Sequence, residues 1–359
     1  MPQPNTTGER PVPATADQPE AEPPAAGPNT HSTPTPVEAQ TPTFAPWQEA
    51  IEVKNREVIE EGWVVRSSSS THVSAARRFL ARASFGLVPE ESPHEIRLRE
   101  LTGRITVPLP DHHRIAVLSL KGGVGKTTTC LGAGSVLASL RESRVIAVDS
   151  NPDRGTLGDR VELTTPFTVR QLNADADSIS RYTQMRRYTS VNDSRLQILP
   201  SDTAGVEQYD ADSYKVTADL LEQHYDLVLT DCGTGLRHSA MASILGLADQ
   251  AVIVLEPALD AARSADSTLG WLIENGYRDL AANAVVVVSG VDAKTRRSID
   301  LDQVIEHFRP QVHGVVEVPF DDHLDLGGIF RLEALHSSTR EAYMQVAALI
   351  AGRLNRKTA

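Results

Sequence analysis

A doubly wound α/β fold on a mostly parallel sheet of about seven strands is predicted for residues 111–359 of the chain. Three observations carry that prediction. Short apolar runs alternate with stretches long enough to be helices. The runs are continuously apolar, as parallel strands covered on both faces must be. The first of them passes through a glycine-rich turn directly into a helical stretch.

In order, the candidate strands are RIAVLSL (114–120), RVIAVD (144–149), LQILP (196–200), DLVLTD (226–231), QAVIVLE (250–256), AVVVVSG (284–290) and GVVEVPF (314–320). Helices of ten or more residues fit between most of them, at 126–140, 212–223, 237–247 and 260–275. At the end of the chain, Ser338 and Glu341 have the spacing of a capping box, and Ala342, Val346, Leu349 and Ile350 form an apolar stripe. This end reads as a last core helix with a frayed basic tail. The alternative is attachment to a membrane surface, assisted by Arg353, Arg356 and Lys357.

Ahead of this pattern the composition changes. Twelve of the 22 prolines precede Trp47, and residues 1–46 hold almost no large apolar side chain, so they cannot bury enough surface to offset the entropy of ordering them. A disordered, partly polyproline tail is expected there. Residues 47–110 read as a partly helical accessory segment, hinged at the serine run 67–70. Within it, Ala75–Leu87 places Ala76, Phe79, Leu80 and Ala83 on one face and Arg77, Arg78 and Arg82 on the other. Such a helix either packs with its charged face in water or docks on an acidic partner or membrane surface.

The chain has 359 residues, 40% hydrophobic and 23% charged, enough for a sizeable core. Its net charge of −12 weakens any bulk attraction to nucleic acid or anionic lipid. The start lacks the pattern of a secretory signal, and no apolar run approaches the length of a spanning helix. The two cysteines, Cys130 and Cys232, lie in apolar or phosphate-binding stretches, suit a reducing cytoplasm and have no metal-ligand spacing.

The chemistry concentrates in LSLKGGVGKTTTC (118–130). A strand, then GGVGKTT, then a helix is the setting of a phosphate-binding loop. Gly122, Gly123 and Gly125, with Val124 between them, let backbone N–H groups curl around phosphate oxygens, and the helix start aims its positive end at them. Lys126 is placed to reach the β and γ phosphates, Thr127 to put its hydroxyl on Mg2+, and Thr128 to meet the α-phosphate. Asp149 and Asp231 close two strands, so both carboxylates are expected at the carboxyl edge of the sheet, where ligands of such folds bind. Asp231 suits a role holding magnesium through water, with Asp149 one layer behind it and the Gly233 N–H near the γ-phosphate.

A lysine ahead of all the glycines, as in KGGVGKTT, resembles the deviant Walker A motif of the ParA/MinD family of ATPases, and the likeness extends over about residues 113–355. It implies ATP and Mg2+ as cofactors and a homodimer formed on ATP binding, with Lys121 crossing to the partner's nucleotide much as an arginine finger does. VDSNPDRGTLGDR sits where the family has its Walker A′ segment. VPFDDHL is similar to a segment lining the adenine pocket, which makes Pro319 and Asp321 candidates for base contact. Two departures stand out: Asn151 occupies the place of a second carboxylate, which predicts slow intrinsic hydrolysis, and Ser289 replaces an asparagine before the adenine pocket. The wider wording resembles the actinobacterial branch of the family associated with type VII secretion. That resemblance implies an ATP-dependent switch regulating or positioning a membrane-associated secretion or division machine through a regulatory protein partner, at the inner face of the cell membrane.

Competing functions are a partitioning ATPase that coats nonspecific DNA through arginines such as Arg181, Arg186 and Arg187, a scaffold that binds ATP without turnover, and a substrate-modifying P-loop enzyme. A tyrosine autokinase would carry a C-terminal tyrosine cluster, where only Tyr343 is near. An iron–sulfur reductase needs cluster cysteines beyond the two present.

Overall fold

The computed structural model describes residues 92–151, 155–202, 210–234 and 239–354. The expected tail, the serine hinge and the amphipathic stretch Ala75–Leu87 lie outside the described residues. So do Arg356 and Lys357.

Among the described residues, eight strands form one sheet: β1 (His113–Leu118), β2 (Val145–Ser150), β3 (Ser190–Val191), β4 (Gln197–Leu199), β5 (Leu227–Cys232), β6 (Gln250–Leu255), β7 (Val285–Val291) and β8 (Gly314–Pro319). Their order is β3-β4-β2-β5-β1-β6-β7-β8, and every pairing is parallel except β3 with β4. The seven expected strands are all present. The eighth, β3, is a two-residue edge strand, too short to leave a periodic trace in the sequence.

Among the described residues, seven helices of eight or more residues cover the sheet: α1 (Pro93–Ile105), α2 (Lys126–Leu140), α3 (Ala211–His224), α4 (Ser239–Leu247), α5 (Leu259–Glu274), α6 (Leu301–Phe308) and α7 (Ser337–Ala351). Strand residues alternate between the two layers. Ile115 and Val117 face α1, α2 and α7, whereas Ala116 and Leu118 face α3, α4, α5 and α6. Both faces being covered explains why Val285 to Val288 are all buried and why the strands read as unbroken apolar runs. Cys130 and Cys232 are free thiols in these cores.

Helix α1 opens on a full capping box: Ser92 Oγ accepts from the Glu95 N–H at 3.2 Å, and the Glu95 carboxylate accepts from the Ser92 N–H at 3.0 Å. It buries Leu101 and Ile105 in the same core as α2 and α7. The Arg141 guanidinium, at the end of α2, donates to the Ile105 carbonyl.

The capping box expected at Ser338 and Glu341 does not form. Helix α7 begins at Ser337, and no side chain caps its first turn from within. Glu341 instead pairs with Arg97 of α1 at 2.7 Å and faces His94 at 3.4 Å. A donor at the helix entrance, the His336 N–H, is taken by Asp321 at 2.9 Å, so a distant carboxylate does the capping. The apolar stripe of α7 lies in the core: Ala342, Val346 and Ile350 are buried and Leu349 packs against them. That arrangement is the core-helix reading of this end.

Helix α2 carries two glycines in its interior although glycine weakens helices. At Gly132 the reason is space: a Cβ there would lie 2.6 Å from the Tyr343 ring of α7, which rests on bare helix backbone.

Candidate functional site

The strand order reverses at β1, whose neighbours are β5 on one side and β6 on the other, so the loop after β1 opens at a topological switch point. That loop is the glycine-rich segment. Gly123 and Gly125 have φ of 77° and 92°, and Gly125 is the N-cap of α2, with no side chain capping it. A side chain at Gly125 would be strained by its backbone and would also meet Ser289 Oγ at 2.9 Å. The first N–H groups of α2 therefore point into the loop with room for an anion.

Around the loop, the expected residues gather as follows. Thr127 Oγ1 donates to Asp231 Oδ2 at 2.6 Å and lies 3.0 Å from Thr156 Oγ1. Asp149 and Asp231 stand at matching register on adjacent strands β2 and β5. Both are almost wholly buried. Asp149 accepts from the Asn151 N–H at 3.1 Å and the Leu157 N–H at 3.0 Å, and so ties down the loop that follows β2. Burial raises the pKa of both carboxyls; Asp149's charge raises Asp231 further, while Thr127 and Lys126 hold it down. Oδ1 of Asp231 has no hydrogen-bond partner among the described residues. A hard cation here would relieve both the repulsion and that orphaned oxygen. No group of three or more His, Cys, Asp or Glu side chains able to hold a metal occurs among the described residues, so such an ion would take its other ligands from phosphate and water, as Mg2+ commonly does.

The two lysines differ sharply. Lys126 lies partly buried with Nζ 3.4 Å from the Lys121 carbonyl, and burial lowers its pKa against the opposing pull of Asp231. Lys121 is more open: its ammonium contacts Glu256 just past β6 and Asp260 in the first turn of α5, the latter at 3.0 Å. These carboxylates raise its pKa. Neither acid was among the expected site residues. The only local signal was the glutamate closing QAVIVLE at the carboxyl edge.

Beside the loop, an open cleft of about 710 Å³ is lined by Gly123, Val124, Gly125 and Thr128 together with Ser289, Pro319, Phe320 and Leu324. Its volume is in the range of small-ligand pockets. Gly122, Gly233 and Asn151 are not among its lining residues; Gly233 is buried behind Asp231. Asp321 lines the cleft, yet its carboxylate is only 2% exposed and is engaged by the N–H groups of His323 and His336. It acts as a cap, and Pro319 and Phe320 line the cleft beside it.

Among known proteins, residues 112–269 match a family model described as an AAA domain. The ESX-1 secretion-associated protein EspI of Mycobacterium tuberculosis is 33% identical over 276 residues, which are 76% of this chain and 40% of EspI. The chain thus spans about two fifths of the length of that relative. The septum site-determining protein MinD of Bacillus subtilis is 27% identical over 56% of this chain and 75% of its own. Among solved structures, MinD of Pyrococcus horikoshii complexed with Mg-ADP superposes with a TM-score of 0.53 at 20% identity, over 66% of this chain and 94% of its own, a likeness of fold.

Proposed function

Because the chain belongs to the ParA/MinD family of P-loop ATPases, we propose that it is an ATP-dependent dimerising switch, with each subunit lending Lys121 to the nucleotide of the other. The observation that carries this reading is the 2.6 Å contact between Thr127 and Asp231, which joins the glycine-rich loop to the neighbouring strand end at the switch point of the sheet. In the proposed assignment the loop from Gly122 to Gly125 and the start of α2 cradle the phosphates, and Lys126 balances the terminal ones. Thr127 and Asp231 hold Mg2+, the latter through water, with Asp149 behind. The ion, when bound, neutralises charge that develops on the transferred phosphoryl group. Asn151, an amide in place of a carboxylate, orients a water without accepting its proton, so unstimulated turnover is slow.

Lys121 rests on Glu256 and Asp260 in the single chain and would exchange them for a facing phosphate on dimerisation. ATP then contributes to the dimer interface, and its loss releases the subunits. By its likeness to EspI and MinD, the switch would act on a protein partner of a membrane-associated secretion or division machine. No described helix is long and apolar enough to cross the membrane itself.

Size-exclusion with light scattering tests this on wild type, Lys121→Ala and Lys126→Ala, each with ATP and with ADP. We expect dimers of wild type with ATP alone, loss of nucleotide binding in Lys126→Ala, and nucleotide binding without dimers in Lys121→Ala. Normal ATP-dependent dimers of Lys121→Ala would remove the trans role. A second reading, binding of nonspecific DNA, is favoured by the exposure of Arg181, Arg186 and Arg187 on one short segment. An ATP-dependent, salt-sensitive shift of random duplex DNA would support it.

A further inference from the structure

The loop after β2 delivers a side chain to the cleft that motif spacing does not single out. From Asp149 the chain is tied at Leu157 and runs through one turn of 3-10 helix, Gly158–Arg160. The Arg160 N–H donates to the Leu157 carbonyl at 3.3 Å, and its own carbonyl accepts from the Phe330 N–H at 2.8 Å. With its backbone held at both ends, Arg160 lines the same cleft as Gly125 and Thr128. Its guanidinium nitrogens Nε and Nη2 are buried and have no hydrogen-bond partner among the described residues, and no carboxylate there forms an ion pair with it. Of the acids that line the cleft with it, Asp321 is engaged by backbone donors and Glu256 by Lys121.

Arg160 is half-buried, and guanidinium donors withdrawn from water are costly unless something anionic meets them. Burial lowers the pKa of Arg160, and the Tyr343 side chain on α7 offsets only part of that. The planar fork of arginine matches the oxygens of a phosphate or a carboxylate, and the glycine-rich loop beside it makes phosphate the one at hand. Thr128, which shares the cleft wall, stands one residue beyond the loop threonine, on the side where a phosphate-binding loop meets the phosphate nearest the sugar. We propose that Arg160 helps bind the nucleotide, its guanidinium donating to the α-phosphate from the cleft wall that it shares with Gly125 and Thr128. The inference rests on the nucleotide reading of this cleft. It adds a contact common to ATP and ADP, separate from the magnesium and from Lys121.

Equilibrium binding of MgATP and MgADP to wild type, Arg160→Met and Arg160→Lys tests it, alongside thermal melting of each free protein. Arg160→Met should weaken both nucleotides by a similar factor, about tenfold or more, which is the scale of one lost charge-assisted contact. Arg160→Lys should lose less, because it keeps the charge but not the fork. The free Arg160→Met protein should melt no lower than wild type, since it no longer withdraws unpaired guanidinium donors from water. A residue with a merely structural role would lower the melting temperature and leave affinity alone. Unchanged affinity for both nucleotides in folded Arg160→Met overturns the proposal, as does a loss confined to ATP, which would put the guanidinium at the γ-phosphate. Failure of wild type to bind either nucleotide would instead overturn the reading of the cleft itself.

Discussion

Asp321 shows how a residue can match a motif position and serve the fold. Its carboxylate closes two helix entrances, accepting from the His323 N–H at 3.1 Å and the His336 N–H at 2.9 Å. Burial by itself would raise its pKa, but these donors outweigh burial, and the carboxyl titrates below its ordinary value. A depressed folded pKa contributes stability that is present above the unfolded value and is lost as pH falls through the folded one. Asp321→Ala should therefore cost about 1–3 kcal/mol near neutral pH by leaving buried donors unpaired. The deficit should shrink below about pH 4, where wild type loses the same interaction. Melting curves across that range check it; a constant deficit at all pH values would point to packing in place of charge. At the same scale, Thr127, Asp149 and Asp231 were legible as site candidates because each ends or begins an element, and an element's end is visible in the sequence. Asp260, Thr156 and Arg160 were not, because each reaches the site from a loop or first turn whose path depends on the packing beneath it, and Glu256, although it closes an expected strand, meets Lys121 only through the packing of neighbouring strands.

At the level of elements, α2 is fixed by separate demands at its start and its centre. Its start needs Gly125 in a left-handed conformation so that the loop can curl, and its centre needs Gly132 so that Tyr343 of α7 can lie against the backbone. Gly132→Ala would improve intrinsic helix propensity by about 1 kcal/mol, yet the added methyl meets the ring at 2.6 Å. With Tyr343 wholly buried, the ring has little space to retreat. The net effect should be a loss of about 1–3 kcal/mol, read from denaturant melts, and a stabilised variant would mean that the ring can move. Helices α2, α3, α4 and α5 begin and end within a few residues of their expected bounds, since apolar periodicity reports the buried face directly. The start of α7 differs from the sequence expectation for a physical reason. A Ser-x-x-Glu spacing suits a capping box, but Glu341 gains an interhelical partner in Arg97, and a carboxylate from before α7 supplies the cap.

Over the whole molecule, the packed body reaches back through α1, which falls in the segment expected to be accessory. Ile105 is fully buried and Leu101 nearly so, in one core with α2 and α7. If α1 belongs to the cooperative unit, Ile105→Ala should cost about 2–5 kcal/mol and shift a single unfolding transition without splitting it. A separate early transition, seen by two spectroscopic probes, would show α1 to be an independent attachment. What the sequence by itself determined is the α/β class, the parallel character of the strands and the phosphate-binding loop, because periodicity and motif spacing are short-range properties of the chain. Only the tertiary structure decided which acids meet which lysine and which arginine enters the cleft. Thr127 and Asp231 are 104 residues apart, and Lys121 and Glu256 are 135 apart. Strand order and register set those meetings, and both are fixed by burial on the two faces of the sheet, which no local stretch of sequence encodes.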